Sequence, residues 1–118
     1  MDDIKKERYI KLLHQNAAAF IASISTRVSL ITVTKVTLSK GEKKAQIHVS
    51  VYPEVEEVKA LAFLERHVYE MRDYLKEHMR VGFLPLIRFA IDEGEKARQK
   101  FDKLLREEKG GASDSGAV

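Results

Sequence analysis

The chain has 118 residues, of which 44% are hydrophobic and 33% are charged, and its net charge is +3. This size and balance predict one domain with a modest core, and no apolar run approaches the roughly 18 residues that a membrane helix requires. The chain has no Cys, which excludes disulfides and thiolate chemistry and favours a reducing, cytoplasmic compartment.

A helix is predicted over residues 4–24. Apolar residues recur there at intervals of three and four, so one face of the helix is apolar. The residues of this face are Ile10, Leu13, Ala17, Ile21 and Ile24, with Phe20 beside them.

A β-hairpin is predicted next, with strands over residues 28–39 and 44–52 and a turn at Gly41. Val, Ile and Thr dominate both strands, and β-branched residues suit a pleated surface. In the second strand the residues that share the apolar face are Ala45, Ile47, Val49 and Val51. We expect helices to cover this face of the sheet.

A second long helix is predicted from the acidic segment after Pro53 to about His78 or Met79. Pro53 ends the strand, and acidic residues are favourable at a helix N-terminus. An apolar seam runs along this helix in steps of three and four, through Leu61, Leu64, Val68, Met71 and Leu75. We expect the seam to pack against the sheet residues Ile47, Val49, Val51, Ile87 and Phe89.

A third strand is predicted over residues 86–92, followed by a last helix from about Glu93. The apolar positions of this helix are Ala97, Phe101, Leu104 and Leu105. Residues 110–118, GGASDSGAV, are small and polar, so we expect a disordered tail after a single domain over residues 1–109.

The predicted order is α-β-β-α-β-α, an α+β fold with a three-stranded mixed sheet covered by helices on one face. If the third strand lies beside the first, it should run parallel to it through a right-handed connection.

Residue patterns typical of catalysis are absent from the sequence. Its glycines form neither a phosphate-binding loop nor a dinucleotide fingerprint, and its serines lack the context of a nucleophile elbow. His67 and His78 would lie about 16 Å apart along one helix, too far to share a metal ion. We therefore expect no catalysis, no metal site and no cofactor.

Lysines cluster around the hairpin turn. Lys40, Lys43 and Lys44 flank it, and Lys35 lies on the first strand. Up to Lys44, nine Lys/Arg against four Asp/Glu give a charge of +5, whereas the rest of the chain carries −2. Such a cluster suits contact with phosphates, but it suits equally well a hairpin whose charges deter edge-to-edge pairing. Composition does not separate these two interpretations.

The aromatic residues show no spacing typical of a base-stacking platform. The aromatic candidates for stacking are Tyr52, Tyr69, Tyr74, Phe83 and Phe89, and we expect most of these five to lie in the core.

Three blocks of sequence carry a family resemblance. They are RVSLITVTKVTLSKGEKKAQIHVSV, ALAFLERHVYEMRDYLKEHMRVGFLPLIRFAID and ARQKFDKLLREE. In this order they resemble the first hairpin, the second helix with the third strand, and the closing helix of the ribosome-binding factor A family, which are bacterial small-subunit maturation factors. The resemblance covers roughly residues 4–108.

The resemblance implies a KH-like fold of type II order without the G-x-x-G loop, and no two glycines of this chain are three residues apart. It also implies a non-catalytic factor that binds 16S ribosomal RNA of the small (30S) subunit and assists late maturation and rRNA processing. We expect a monomer. Without the resemblance, a protein–protein interaction module on the same fold is an equal alternative.

The long helix departs from the family pattern. Where the family often carries a glycine-containing kink, this chain has His67-Val68-Tyr69, so the helix is either straighter or bent by packing. Its charges balance, yet Arg72, Lys76 and Arg80 lie along one ridge at i, i+4 spacing. The predicted RNA-binding residues are this ridge, Arg66, Lys35, Lys40, Lys43 and Lys44.

Overall fold

A computed structural model describes residues 2–25 and 29–117 of the chain, with side chains up to Glu108. The elements are α1 (Asp3–Ile24), β1 (Leu30–Leu38), β2 (Lys44–Tyr52), α2 (Glu57–Arg66), α3 (Val68–Met79), β3 (Leu86–Ile91) and α4 (Glu93–Ala117). Single 3₁₀ turns lie at Lys40–Glu42 and Glu54–Glu56. The predicted α+β order is confirmed, except that the second helix is divided in two. Val28, the predicted first residue of the first strand, lies outside the described residues.

The β1–β2 hairpin forms as predicted. The two strands pair antiparallel, from Leu30 opposite Tyr52 to Leu38 opposite Ala45. Gly41 adopts a φ of 75° in the turn, a left-handed conformation that glycine reaches without steric cost. One extra residue between Val33 and Lys35 forms a bulge in β1.

The third strand lies beside the second strand and not beside the first, so the condition under which it would run parallel to β1 is not met. β3 pairs with β2, in parallel, so the strand order is β1-β2-β3 and β3 runs antiparallel to β1. A crossover through α2 and α3 returns the chain to the edge of β2 that β1 does not occupy. α1 packs on β1, where His14 Nε2 lies 3.2 Å from the carbonyl oxygen of Val33. The sheet is nevertheless mixed, as predicted.

The core lies between the sheet and the helices α1, α2 and α3. The inward residues of β2, Ala45, Ile47, Val49 and Val51, are all buried, as their alternation predicted. The helical seam is confirmed at Leu64, Met71 and Leu75, whereas Leu61 and Val68 are half-buried at its margin. α1 contributes Leu13, Ala17, Phe20 and Ile21.

The long helix bends at His67, although no glycine or proline is present there. His67 has φ −102° and ψ 9°, and its N–H donates to Leu64 O at 3.1 Å, an i→i−3 bond that tightens the turn. The residues on both sides of the bend, Leu64 and Met71, are each 1% exposed. Packing of both half-helices into the core therefore accounts for the bend, the second of the two alternatives left open by the sequence.

α4 does not pack on the core, although its apolar positions recur at helical spacing. Phe101 is 61% exposed and Leu104 63%, and Leu105 and Ala97 are exposed as well. The reason is that α1, α2 and α3 already fill the covered face of the sheet, so no apolar surface remains for α4. α4 extends to Ala117, but the side chains of residues 109–118 lie outside the described part, and the domain boundary at residue 109 stays a prediction.

Asp92 joins the start of α4 to the sheet. Its Oδ1 accepts from the Glu95 N–H at 2.9 Å, which caps the helix, and its Oδ2 accepts from the hydroxyl of the bulge residue Thr34 at 2.6 Å. Lys96, one turn further, pairs with Glu54 at 2.9 Å and Glu57 at 3.1 Å. α4 is therefore held at its first turns, and its remaining length stands away from the sheet.

Candidate nucleic-acid interface

The hairpin turn presents three exposed cations. The side chains of Lys40, Lys43 and Lys44 are all exposed. Ser39 stabilises the turn, because its hydroxyl accepts from the Lys44 N–H at 2.9 Å and its own N–H donates to Lys44 O at 2.8 Å. These residues, called the hairpin lysines below, are thus displayed on an ordered turn at one end of the sheet, the hairpin end.

The face of the sheet opposite the helices, the open face, extends this basic surface. Lys35 lies on it opposite His48, and Arg88 of β3 lies on it opposite Gln46. A shallow groove of about 240 Å³ at the hairpin end is lined by Thr37, Ser39, Lys44, Ala45, Gln46 and Arg88. Arg88 was missed by the sequence analysis, although the alternation of Ile87 and Phe89 places it on the outward face.

His48 occupies the middle of the open face. Partial burial lowers the pKa of its imidazole below the ordinary value, and the adjacent Lys35 lowers it further. Its Nε2 lies 3.2 Å from the Thr37 hydroxyl. The positive charge of this face at neutral pH therefore comes from its Lys and Arg side chains, since His48 is largely neutral.

A second basic site lies on the helical side, beside the bend at His67. A cleft of about 160 Å³ separates α2 from β1 and is lined by Ser29, Ile31, Glu56, Lys59, Ala60, Phe63 and Arg66. The Arg66 guanidinium lies 5.9 Å from the Phe63 ring centroid, and the His67 ring lies 4.6 Å from it. Of these, the sequence predicted only Arg66. Lys59 and Phe63 share its helix face at i−7 and i−3, which was the signal available.

The predicted ridge of Arg72, Lys76 and Arg80 does not consist of three equivalent cations. Arg72 is half-buried, and its guanidinium donates to the carbonyl oxygen of Pro85 at 2.7 Å. Lys76 and Arg80 are exposed, and Arg80 ends α3 with a left-handed φ of 52°. Arg72 thus has a structural contact with the loop before β3, and its contact with RNA stays a prediction.

The structure brings the end of the ridge and the hairpin lysines to the same region. Leu86, directly after Pro85, donates its N–H to Lys43 O at 3.0 Å. Arg72, bound to Pro85, is therefore connected to the hairpin end through two hydrogen bonds. Arg66 lies elsewhere, beside the beginning of β1, so Arg66 and the hairpin lysines do not share one surface.

Sites of other kinds are not found in the described part of the chain. Among the side chains described, those of residues 2–25 and 29–108, no three His, Asp or Glu residues are close enough to hold a metal ion. None of the described helices is both long and apolar enough to cross a membrane.

Comparison with known proteins identifies the family to which this chain belongs. The family model described as ribosome-binding factor A matches residues 5–105. This chain belongs to the ribosome-binding factor A family. Among curated members it is 31% identical to that of Methylobacterium radiotolerans over 80 residues, covering 68% of this chain and 56% of that protein. It is 35% identical to that of Dictyoglomus thermophilum over 79 residues, covering 66% of this chain and 63% of that protein.

The solved structures of the family agree with the fold. The crystal structure of ribosome-binding factor A from Thermus thermophilus superposes with a TM-score of 0.65 at 26% identity, covering 73% of this chain and 94% of that one. A Thermus thermophilus ribosome-binding factor A homology model, fitted into a cryo-EM map of its complex with the 30S subunit, superposes with a TM-score of 0.60 at 28% identity. The match covers 67% of this chain and 86% of that one. The predicted KH-like fold is thereby confirmed. The chain spans about 56% to 63% of the length of the two curated relatives named above.

Proposed function

We propose that this chain binds the small ribosomal subunit through its 16S RNA and assists late subunit maturation and rRNA processing without catalysing a reaction. It acts as a monomer in the cytoplasm and needs no cofactor. The observation that carries the proposal is the family match over residues 5–105, together with a Thermus thermophilus relative whose coordinates were fitted into a 30S complex.

The basic surface at the hairpin end supports RNA as the partner. The hairpin lysines, Lys35 and Arg88 are exposed, and the salt bridges within 4.0 Å in the described part of the chain involve none of them. Lysines and arginines that are not engaged within the protein remain available for phosphates, and each phosphate contact releases counterions. The ordered turn fixes their positions before binding, which reduces the entropy lost on association.

A protein–protein interaction module is the second candidate. The exposed apolar residues Phe101, Leu104 and Leu105 of α4 favour it, because spacing at i, i+3 and i+4 produces a continuous apolar stripe. Salt dependence separates the two candidates. Binding to phosphates weakens steeply as salt rises, whereas burial of an apolar stripe responds little.

Sedimentation through a ribosome profile tests the proposed function directly. Tagged protein should migrate with free small subunits and be absent from translating ribosomes. Binding to purified small subunits should also weaken as salt is raised from about 50 to 200 mM. Uniform distribution across the profile, or binding that is insensitive to salt, would contradict the proposal.

A further inference from the structure

We propose that a groove between α4 and the open face of the sheet binds a short single-stranded segment of RNA. The inference rests on the proposed function in one respect, namely that the partner is RNA. Its site is different, since it lies at the end of the sheet where Leu30 pairs with Tyr52, away from the hairpin lysines.

The groove lies beside α4, whose described hydrogen bonds and ion pairs with the rest of the fold come from its first two turns. Asp92 caps the helix and holds the bulge residue Thr34, while Lys96 bridges Glu54 and Glu57. Beyond these contacts the helix stands off the sheet and encloses a groove of about 580 Å³. A volume in the range of about 300–1,000 Å³ is typical of sites that enclose a small organic ligand. The groove can therefore hold only a few nucleotide units, not a duplex.

One wall of the groove is cationic. Gln99, Lys100, Lys103 and Arg106 line it from one face of α4. Three carboxylates, those of Glu54, Glu57 and Asp92, line the groove near the start of α4. Lys96 pairs with both glutamates, and Asp92 accepts hydrogen bonds from Thr34 and Glu95. From Lys100 to Arg106 the helix rises about 9 Å, so the three cations follow the length of the groove. Lys100 lies 3.6 Å from Glu54, and Lys103 lies 4.0 Å from Glu107. These pairs are long and largely exposed, so they are weak and can yield to a phosphate.

The floor of the groove is apolar and aromatic, and it carries hydroxyl groups. Tyr52 is 74% exposed, and its cross-strand partner Leu30 is 66% exposed. Beside them Thr32 lies opposite Ser50, and both residues line the groove. The expectation that most of the five larger aromatic residues lie in the core is wrong, since Tyr52, Tyr69 and Phe83 are exposed. An exposed tyrosine and leucine paired on an open sheet provide a surface on which a base can stack.

These features together match the way in which proteins bind single strands. Such sites combine a line of cations for the backbone with aromatic side chains on which bases stack. A peptide with acidic residues would also meet the cations, but it would leave the flat ring of Tyr52 without a planar partner. We therefore assign the groove to RNA and treat a protein partner as an alternative outcome of the test.

A fluorescent reporter in the groove tests for stacking. The chain has no Trp, so Tyr52→Trp introduces a single emitter at the proposed floor. A single-stranded RNA hexamer should quench its fluorescence in a saturable manner. The matched control is Tyr69→Trp, because Tyr69 is 78% exposed on α3. Quenching of both variants to the same extent would overturn the assignment.

Charge removal provides a second, independent measurement. The groove variant carries Lys100→Gln, Lys103→Gln and Arg106→Gln. Its matched control removes two lysines and one arginine from exposed positions of α1, as Lys5→Gln, Arg8→Gln and Lys11→Gln. The groove variant should bind the hexamer at least tenfold more weakly, and its slope of log K against log salt should fall by about 2, or about 0.7 for each lost phosphate contact. The control should change affinity less than threefold.

The outcomes separate this inference from the proposed function. If the hexamer neither quenches Tyr52→Trp nor distinguishes the groove variant, while small-subunit binding persists, the inference is wrong and the proposed function stands. If the groove variant loses small-subunit binding but the hexamer does not bind the original chain, the occupant is a protein and the RNA assignment is wrong. If the original chain binds neither the hexamer nor the small subunit, both proposals are wrong.

Discussion

Removal of the Asp92 carboxylate should destabilise the fold measurably, because this buried side chain makes two hydrogen bonds that join the start of α4 to the sheet. It is 7% exposed, and it caps α4 through Glu95 N–H while accepting from the Thr34 hydroxyl. The perturbation is Asp92→Ala, which removes both acceptor atoms and leaves the backbone unchanged.

The expected loss follows from these two contacts. Replacement of an N-cap by Ala costs about 0.5–2 kcal/mol. Loss of a hydrogen bond to a charged group costs about 1.5–3 kcal/mol. Thr34 retains a second acceptor, the carbonyl oxygen of His48 at 3.2 Å, so its hydroxyl is not left unsatisfied. The two losses together should therefore lower the free energy of unfolding by about 2–5 kcal/mol.

Urea unfolding at pH 7 measures this loss. Asp92→Asn is the conservative variant, because its amide oxygen can still cap α4, and it should cost less than Asp92→Ala. Asp102→Ala is the control for the loss of one acid on the same helix. Asp102 pairs with Arg98 at 2.7 Å on the exposed surface, so its removal should cost less than about 1 kcal/mol.

The pH dependence should have a definite sign. The hydrogen bond from Thr34 and then that from Glu95 N–H hold the pKa of Asp92 below its ordinary value. A carboxylate with a lowered pKa stabilises the fold above its unfolded pKa, about 3.9, and this contribution is lost as pH falls through the folded pKa. The stability gap between the original chain and Asp92→Ala should therefore narrow below about pH 4. A loss under about 0.5 kcal/mol at pH 7 would refute the role of Asp92.

Three further predictions concern the core and the basic surfaces. Leu64→Ala should lower the free energy of unfolding in urea by about 2–5 kcal/mol, because Leu64 is 1% exposed. The control Leu104→Ala, on the exposed side of α4, should change this free energy very little. Equal losses in the two variants would contradict the packing of Leu64 in the core. Replacement of the hairpin lysines by Gln should flatten the slope of log K against log salt for small-subunit binding by about 0.7–0.9 per lost phosphate contact. An unchanged slope would mean that these lysines only keep the edge of the sheet soluble. Arg72→Gln should lower the free energy of unfolding by about 1–3 kcal/mol, because it leaves the carbonyl oxygen of Pro85 without its donor. Lys76→Gln should leave the free energy of unfolding unchanged and alter only RNA binding.

The order and type of the elements could be predicted from local patterns. Alternation in β2 identified the buried residues Ala45, Ile47, Val49 and Val51, and spacing of three and four identified Leu64, Met71 and Leu75. These predictions are confirmed because side-chain direction follows directly from the period of a strand or helix. The resemblance in three blocks of sequence supplied the family and its KH-like fold, which the comparisons confirm.

The position of each element relative to the others required the tertiary structure. The same apolar spacing that buries a residue in α3 leaves Phe101 and Leu104 exposed in α4, since burial depends on whether a partner surface is still unoccupied. Likewise, nothing in the local sequence indicated that Arg72 would bind the carbonyl oxygen of Pro85, or that β3 would lie beside β2.

The candidate RNA surfaces show the same division. The sequence by itself determined which cations are present and that the hairpin lysines lie at a turn. Only the tertiary structure decided that Arg88 joins them on the open face, that Arg66 lies apart beside Phe63, and that Tyr52 faces the cations of α4. The physical reason is that a binding surface is assembled from residues far apart in the chain, and their proximity is set by long-range packing rather than by local periodicity.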